Sequence, residues 1–313
     1  MLTIGVMGLG TIAQKAYLPV YTQMQNQVHW VLSTRNDDKL QQLATQDGLA
    51  IAGTTLEDLD AQPLDAIMIH TPTETHYQYV KHFLEKGVNV FVDKPLATDM
   101  GQINELYDLA DTQHVLLTVG FNRRFAPMIQ DLAEVDDKTG VRVDKNRIDA
   151  PDDPEHALWD LFIHPVDTAL MLAGYPEKPN TRYSLHTGDD GKLQQASVIF
   201  TAPGIRGEAG IDLQAGTNLE EAQVAAPSGV QRVQNLDQLV VYGRGGATQT
   251  FAPDWQPMLT TRGFQPMVQA FVQAVADPEG KNPVSPATSQ LAHAVVADLV
   301  NQIKAEVVVD FGI

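Results

Sequence analysis

Leu2-Thr3-Ile4-Gly5-Val6-Met7-Gly8-Leu9-Gly10-Thr11-Ile12-Ala13 decides the reading of this chain. The first six residues form an apolar strand, and a helical pattern follows from Ile12. Between them Gly8-Leu9-Gly10-Thr11-Ile12-Ala13 matches G-x-G-x-x-A, the turn that cradles a dinucleotide pyrophosphate when it joins a strand to a helix. In that geometry Gly8 makes the tight turn and Gly10 lets the backbone approach the phosphates. Ala13 lets helix and strand pack closely. The free N–H groups and positive dipole end of the helix face the anion. The alternative is an ordinary glycine-containing turn.

The strand–helix alternation continues outward from this loop. Strand patterns recur at residues 28–33, 66–70, 88–92 and 115–119, with helical patterns at 12–25, 37–46, 73–86 and from Thr98 or Asp99 onward. Pro19 is expected to kink or end the first helix. This spacing predicts an α/β domain with a doubly wound parallel sheet. After the acidic, Pro-rich Asp149-Ala150-Pro151-Asp152-Asp153-Pro154 and a helix over 166–173, short β-rich runs fill residues 182–251. Two helical patterns, 267–276 and 287–305, close the chain. The second half therefore reads as α+β on an open, mainly antiparallel sheet, with domains expected at 1–122 and 123–313 and the last helix free to pack back on the first domain.

Composition narrows the function. The chain has 313 residues, 21 Lys and Arg against 39 Asp and Glu, a net charge of −18, and no cysteine. A field of that sign disfavours nucleic-acid backbones and anionic membranes. The lack of Cys excludes disulfides, thiolate nucleophiles and Cys-ligated metals. With no basic segment ahead of an apolar run, a signal peptide is not expected. The expected location is cytoplasmic.

The cofactor follows from the end of the second strand. An NAD-selective site carries Asp or Glu there for the ribose 2′-OH. This chain has Ser33-Thr34-Arg35-Asn36, with no carboxylate before Asp37. Two hydroxyls and a guanidinium suit a 2′-phosphate, so NADP is favoured over NAD. The other reading leaves Arg35 solvated and the site tolerant of both.

Further motifs resemble the Gfo/Idh/MocA family of NAD(P)-dependent oxidoreductases, in particular its MviM-like members. Thr71-Pro72-Thr73-Glu74-Thr75-His76 is similar to the family's T-P-x-x-x-H. Asp93-Lys94-Pro95 stands for E-K-P. Asp160-Leu161-Phe162-Ile163-His164-Pro165-Val166-Asp167 matches D-x-x-x-H-x-x-D, and Gly120-Phe121-Asn122-Arg123-Arg124-Phe125 is similar to the domain junction. Asp93 replaces the family's Glu, and His156-Ala157-Leu158-Trp159 and Phe162 stand where the family often has glycines. The resemblance implies an active site between two domains and interconversion of a secondary alcohol and a ketone on a sugar- or polyol-like substrate. It implies Lys94, Asp160 and His164 as the catalytic set and Thr71, Pro72, His76, Lys94 and Pro95 beside the cofactor, with Gly8, Gly10, Thr11, Ile12, Ala13, Ser33, Thr34 and Arg35. Asn122, Arg123 and Trp159 are expected to touch substrate.

The chemistry suits these residue types. Hydride transfer at a carbinol carbon needs a proton shuttle and positive charge at the oxygen. Asp160 and His164 are spaced i, i+4, which on a helix puts them on one face. Pro165 suggests a first helical turn, where the dipole favours neutral imidazole. Asp160 is then expected to fix its tautomer. Asp167 could orient Asn122 or Arg123, or cap the helix. His70, His76 and His82 lack a metal-ligand spacing, and no metal is expected. Two rival functions remain: a redox sensor that binds a dinucleotide without chemistry, and a reductase of C=N substrates. Consecutive apolar residues Leu239-Val240-Val241-Tyr242 suggest apolar side chains on both faces of the second sheet, and hence a homodimer or homotetramer paired through it.

Overall fold

The computed structural model describes residues 1–277 and 279–309, and the side chains through residue 304. Two compact units emerge. One comprises Met1–Gly120 with Phe264–Pro286, and the other Phe121–Gly263 with the chain from Ala287 onward. The chain thus crosses between units three times, and the return segment 264–286 was not separable by sequence pattern from its neighbours.

The first unit is a six-stranded sheet. Its strands are β1 (Leu2–Met7), β2 (Val28–Ser33), β3 (Ala50–Gly53), β4 (Ala66–Ile69), β5 (Asn89–Val92) and β6 (Leu117–Val119). They are ordered β3-β2-β1-β4-β5-β6 and all paired parallel. Ile67, Met68, Ile69, Val90, Phe91 and Val92 are fully buried, as expected of strands covered by helices on both faces. The order reverses between β1 and β4. The crevice at that reversal, at the carboxyl ends of the strands, is where such sheets bind ligands. Gly8 directly follows β1 there and His70 directly follows β4.

The helix after the glycine loop is not a uniform α-helix kinked at Pro19. It opens at Thr11 and Ile12, widens into a π-helical turn at Ala13–Tyr17, and continues as α-helix Leu18–Gln23 with Pro19 in its first turn. The missing N–H of Pro19 falls where the ladder is already interrupted. The wide turn sends Tyr17 and Tyr21 into the core, where both are fully buried.

The second unit carries an eight-stranded sheet of β7 (Gly140–Asn146), β8 (Asn180–Thr187), β9 (Leu193–Ala202), β10 (Ile205–Asp212), β11 (Glu220–Ala226), β12 (Gly229–Gln234), β13 (Gln238–Gly243) and β14 (Gly246–Phe251). Its order is β14-β13-β12-β11-β7-β10-β9-β8. Only the β7–β10 pair is parallel. Helix Ile163–Leu172 packs on β7 and β10 and buries nine of its ten residues.

The other face of this sheet does not have the apolar character that Leu239-Val240-Val241-Tyr242 suggested. Across β7 to β11 it presents Arg142, Asp144, Ser184, His186, Gln195, Glu208, Asp212 and Glu221 around a shallow depression. Register explains the difference. Leu239 pairs with Val233 and Val241 with Gln231, whereas Val240 and Tyr242 fall on the same side as Arg232. One strand with apolar residues on both sides sits beside β12 and β14, which carry mostly polar side chains.

Candidate active site

In the first unit a cavity of about 510 Å³ lies over the carboxyl ends of β1, β2 and β4. Its lining includes Gly8, Gly10, Ser33, Thr34, Arg35, Thr71 and Pro72, so seven of the residues expected at the cofactor line one pocket. Gly8 has φ +91°, and a Cβ there would stand 2.9 Å from the backbone C and O of His70. Gly10 has open space where a Cβ would be, which is the room a pyrophosphate needs against the backbone. These features fit a dinucleotide. Thr11, Ile12 and Ala13 do not line the cavity: Thr11 and Ile12 are exposed, and Ala13 is fully buried.

The lining also contains Asn36, Lys39, Thr54, Thr55, His70 and Tyr79, which sequence reasoning did not select. No carboxylate is among the lining residues. Asn36 caps helix Asp37–Asp47 by accepting from the Lys39 N–H. That cap sets Lys39 one turn beyond Arg35, a second cation at the same end. The spacing from Arg35 to Lys39 could have signalled it.

Lys94 and Pro95 follow β5, and their peptide bond is cis. They do not line this cavity. Neither does His76, which is 1% exposed. Its Nδ1 lies 2.8 Å from the Pro95 oxygen and its Nε2 2.8 Å from the Thr71 oxygen. Burial pushes the ring below the ordinary imidazole range, outweighing those carbonyls, and a neutral ring donates to only one of them. His76 therefore ties the Thr71-Pro72 turn to the Lys94-Pro95 turn rather than contacting the cavity itself. Behind Lys94, Asp93 accepts from Tyr17 Oη at 2.5 Å and from His70 Nδ1 at 2.9 Å. Tyr21 Oη lies 2.7 Å from His70 Nε2. Burial opposes ionisation of Asp93, but His70 and Tyr17 hold its carboxyl below the ordinary value.

In the second unit the D-x-x-x-H-x-x-D segment is helical throughout, but not as one α-helix. Pro154–Ala157 is an α-turn, Leu158–Phe162 a π-turn, and Ile163–Leu172 an α-helix. Two expectations change. Asp160 sits in the π-turn, so the i, i+4 geometry of an α-helix does not apply to it. His164 is preceded by helical turns, so it does not stand at an open N-terminus and the dipole argument for a neutral ring is lost. Asp160 is exposed, while His164 is 8% exposed.

A hydrogen-bond neighbour of the His164 ring is Arg123, from the short 3₁₀ turn Asn122–Phe125. Arg123 Nη1 lies 2.9 Å from His164 Nδ1 and donates to Asn122 Oδ1 at 3.1 Å. Its Nε and Nη2 donate to the two carboxylate oxygens of Glu220 on β11, at 2.5 and 2.8 Å. Asn122 in turn donates to the Arg262 carbonyl at 2.7 Å. Both were expected at substrate. The structure places them 3% and 7% exposed, holding one another and His164. Burial would raise the Glu220 carboxyl, but the Arg123 charge and hydrogen bonds, with Lys145 and Arg147 nearby, hold it far below the ordinary value.

Asp167 pairs with neither Asn122 nor Arg123. It accepts from Arg124 Nε at 3.1 and 3.0 Å and from Arg124 Nη2 at 2.5 Å. Burial pushes its carboxyl up despite that partner. Trp159 is 3% exposed, packs against His293 and has an indole N–H without a partner among the described residues. No group of three metal-ligating side chains occurs among the described residues. None of their helices is long and apolar enough to cross a membrane.

Residues 2–121 match the Gfo/Idh/MocA oxidoreductase family with its NAD-binding Rossmann fold, and residues 127–242 match the YceM-like C-terminal domain. YceM of Salmonella typhimurium, an oxidoreductase by name, is 34% identical over 280 residues, covering 88% of this chain and 89% of its own. This chain belongs to the Gfo/Idh/MocA oxidoreductase family. A family oxidoreductase from Vibrio cholerae superposes with a TM-score of 0.90 at 31% identity, over 98% of this chain and all of the other. The dehydrogenase MviM from Clostridium difficile does so with a TM-score of 0.90 at 29% identity, over 96% and 99%. These likenesses agree with the MviM-like motifs in the sequence.

Proposed function

We propose that this protein is an NADP-preferring dehydrogenase that interconverts a secondary alcohol and a ketone on a sugar- or polyol-like substrate. The observation that carries this reading is the cavity at the sheet reversal. A positive-φ glycine and an uncrowded Gly10 form one end of it, and Ser33, Thr34, Arg35 and Lys39, without a carboxylate, form another. Gly8 and Gly10 would hold the pyrophosphate, and the other four the 2′-phosphate of the ribose. Bound there, the dinucleotide supplies a nicotinamide that accepts or gives a hydride.

Lys94, Asp160 and His164 form the catalytic set, handling the substrate oxygen and its proton. Lys94 supplies positive charge where alkoxide character develops. Asp93, held by Tyr17 and His70, and His76, bonded to the Pro95 carbonyl, fix the turn that carries Lys94. A dinucleotide-binding sensor without chemistry would need none of this. The substrate class is supported by relatives that match part of the chain. Inositol 2-dehydrogenase of Rhizobium meliloti is 29% identical over 50% of this chain, and UDP-N-acetylglucosamine 3-dehydrogenase of Acidithiobacillus ferrooxidans is 30% identical over 36%.

The test is a panel of sugars, polyols, nucleotide sugars and their keto forms, each with NAD and NADP in both directions, read by nicotinamide absorbance. Turnover of any member that disappears in Lys94→Ala supports the reading. Tight dinucleotide binding with no turnover across the panel would favour the sensor.

A further inference from the structure

The contact between Arg123 and His164 bears on what the histidine can do, and it rests on the catalytic role proposed above. A guanidinium has five N–H donors, no acceptor, and does not deprotonate in proteins. Arg123 uses Nε and Nη2 on Glu220 and shares Nη1 between Asn122 Oδ1 and His164 Nδ1. With an N–H aimed at it from 2.9 Å, Nδ1 can only accept. A proton on Nδ1 would place two donors face to face inside a buried cluster. That excludes the Nδ1–H tautomer, and it excludes imidazolium for as long as the contact persists.

We infer that Arg123 is a positioning residue that locks His164 in the neutral Nε2–H tautomer, so that the ring serves as a hydrogen-bond donor and not as the base. Glu220 anchors the lock from β11 by its two-oxygen grip on Arg123. The other charges near the cluster include Lys145 and Arg147 at the end of β7, Arg262, whose carbonyl Asn122 binds, and Asp160 and Asp167 from the helical segment of His164. Asp167 is engaged by Arg124. This replaces the role first assigned to Asp160: the tautomer is set by a cation on Nδ1.

The consequence for the reaction is definite. In reduction of a ketone, the carbonyl carbon gains a hydride and its oxygen gains a proton. His164 Nε2–H donates a hydrogen bond to that oxygen as negative charge builds on it, and keeps its own proton. The proton that the oxygen gains therefore comes from another acid of the catalytic set proposed above, which is left as its conjugate base. In alcohol oxidation the same steps reverse, and that conjugate base receives the hydroxyl proton.

The tautomer can be read without any substrate. The full-length protein is prepared with ¹⁵N-histidine, and its long-range ¹⁵N–¹H spectrum is recorded at neutral pH. The His164 signals are assigned by their loss in His164→Gln. The lock predicts a pyridine-type Nδ1 and a pyrrole-type Nε2, with the Nε2–H form favoured by about tenfold or more, as a charged hydrogen bond provides. Removing Arg123 alone would strand Glu220, so the comparison uses Arg123→Met combined with Glu220→Gln. In that protein the preference should fall to a few-fold or less. An Nδ1–H or doubly protonated His164 in the wild type overturns the inference, and so does an unchanged preference in the double variant. If the double variant does not fold, the wild-type spectrum decides alone. A protein without turnover on any substrate could still show the lock, so failure here is distinct from failure of the proposed function.

Discussion

Replacing Glu220 by Gln should destabilise the second unit strongly, although the change is nearly isosteric. Glu220 and Arg123 side chains are 12% and 9% exposed, so water screens them little. Glu220 accepts two charged hydrogen bonds from Arg123, and Lys145 and Arg147 add to its attraction. The variant leaves one acceptor oxygen, turns an amide donor toward the guanidinium, and leaves those cations without their carboxylate. Breaking a buried pair by removing one partner costs about 3–5 kcal/mol. At about 2–4 °C per kcal/mol for a unit of this size, the corresponding thermal midpoint should fall by roughly 6–20 °C. The pH dependence follows from the depressed carboxyl. In the unfolded chain it titrates near about 4.3, so its contribution is present above that value and is lost as pH falls toward the lower folded value. Differential scanning calorimetry from pH 7 to 3 measures both effects. The wild type should lose stability on acidification, and the gap between wild type and variant should begin to narrow below about pH 4. A midpoint within about 2 °C of wild type at pH 7, or a gap that stays constant with pH, would refute the assignment of Glu220 as the buried counter-charge.

Arg35→Ala should weaken NADP binding by about 10- to 100-fold, the loss of one or two charged hydrogen bonds, and leave NAD binding nearly unchanged. Fluorescence titration with the reduced forms measures both, and equal losses would remove the 2′-phosphate reading. Gly8→Ala puts a side chain at φ +91° and 2.9 Å from the His70 backbone, so affinity for either dinucleotide should fall by about tenfold or more; near-normal binding would show that the turn is not the phosphate site. We also propose that two copies pair through the open face of the eight-stranded sheet, now on its charged and polar side chains. Sedimentation at micromolar concentration should give a species of twice the 34.2 kDa chain mass, weakened by high salt, and a monomer at low salt would end that idea.

The parallel sheet and its ligand edge were legible because they rest on local signals. Apolar strands at regular spacing, and a glycine turn that only one backbone geometry satisfies, carry their meaning within a few residues. The cations at Arg35 and Lys39 and the Lys94-Pro95 turn lie close to those strand ends, so their neighbourhood was readable, although Lys39 itself was passed over.

What lay beyond the sequence is of two kinds. The π-turns at Ala13–Tyr17 and Leu158–Phe162 shift side chains by a fraction of a helical turn, and the spacing of Asp160 and His164 looks the same with or without one. The partners of the buried polar groups are the other. Arg123 meets Glu220 across 97 residues of sequence and His164 across 41, while its neighbour Arg124 takes Asp167. Adjacent arginines of identical chemistry are told apart only by the direction each side chain leaves the 3₁₀ turn. Sequence by itself determined which chemical groups this protein has and which strand ends carry them. Tertiary structure decided which nitrogen of His164 can hold a proton, because a buried hydrogen bond is fixed by the position of its partner.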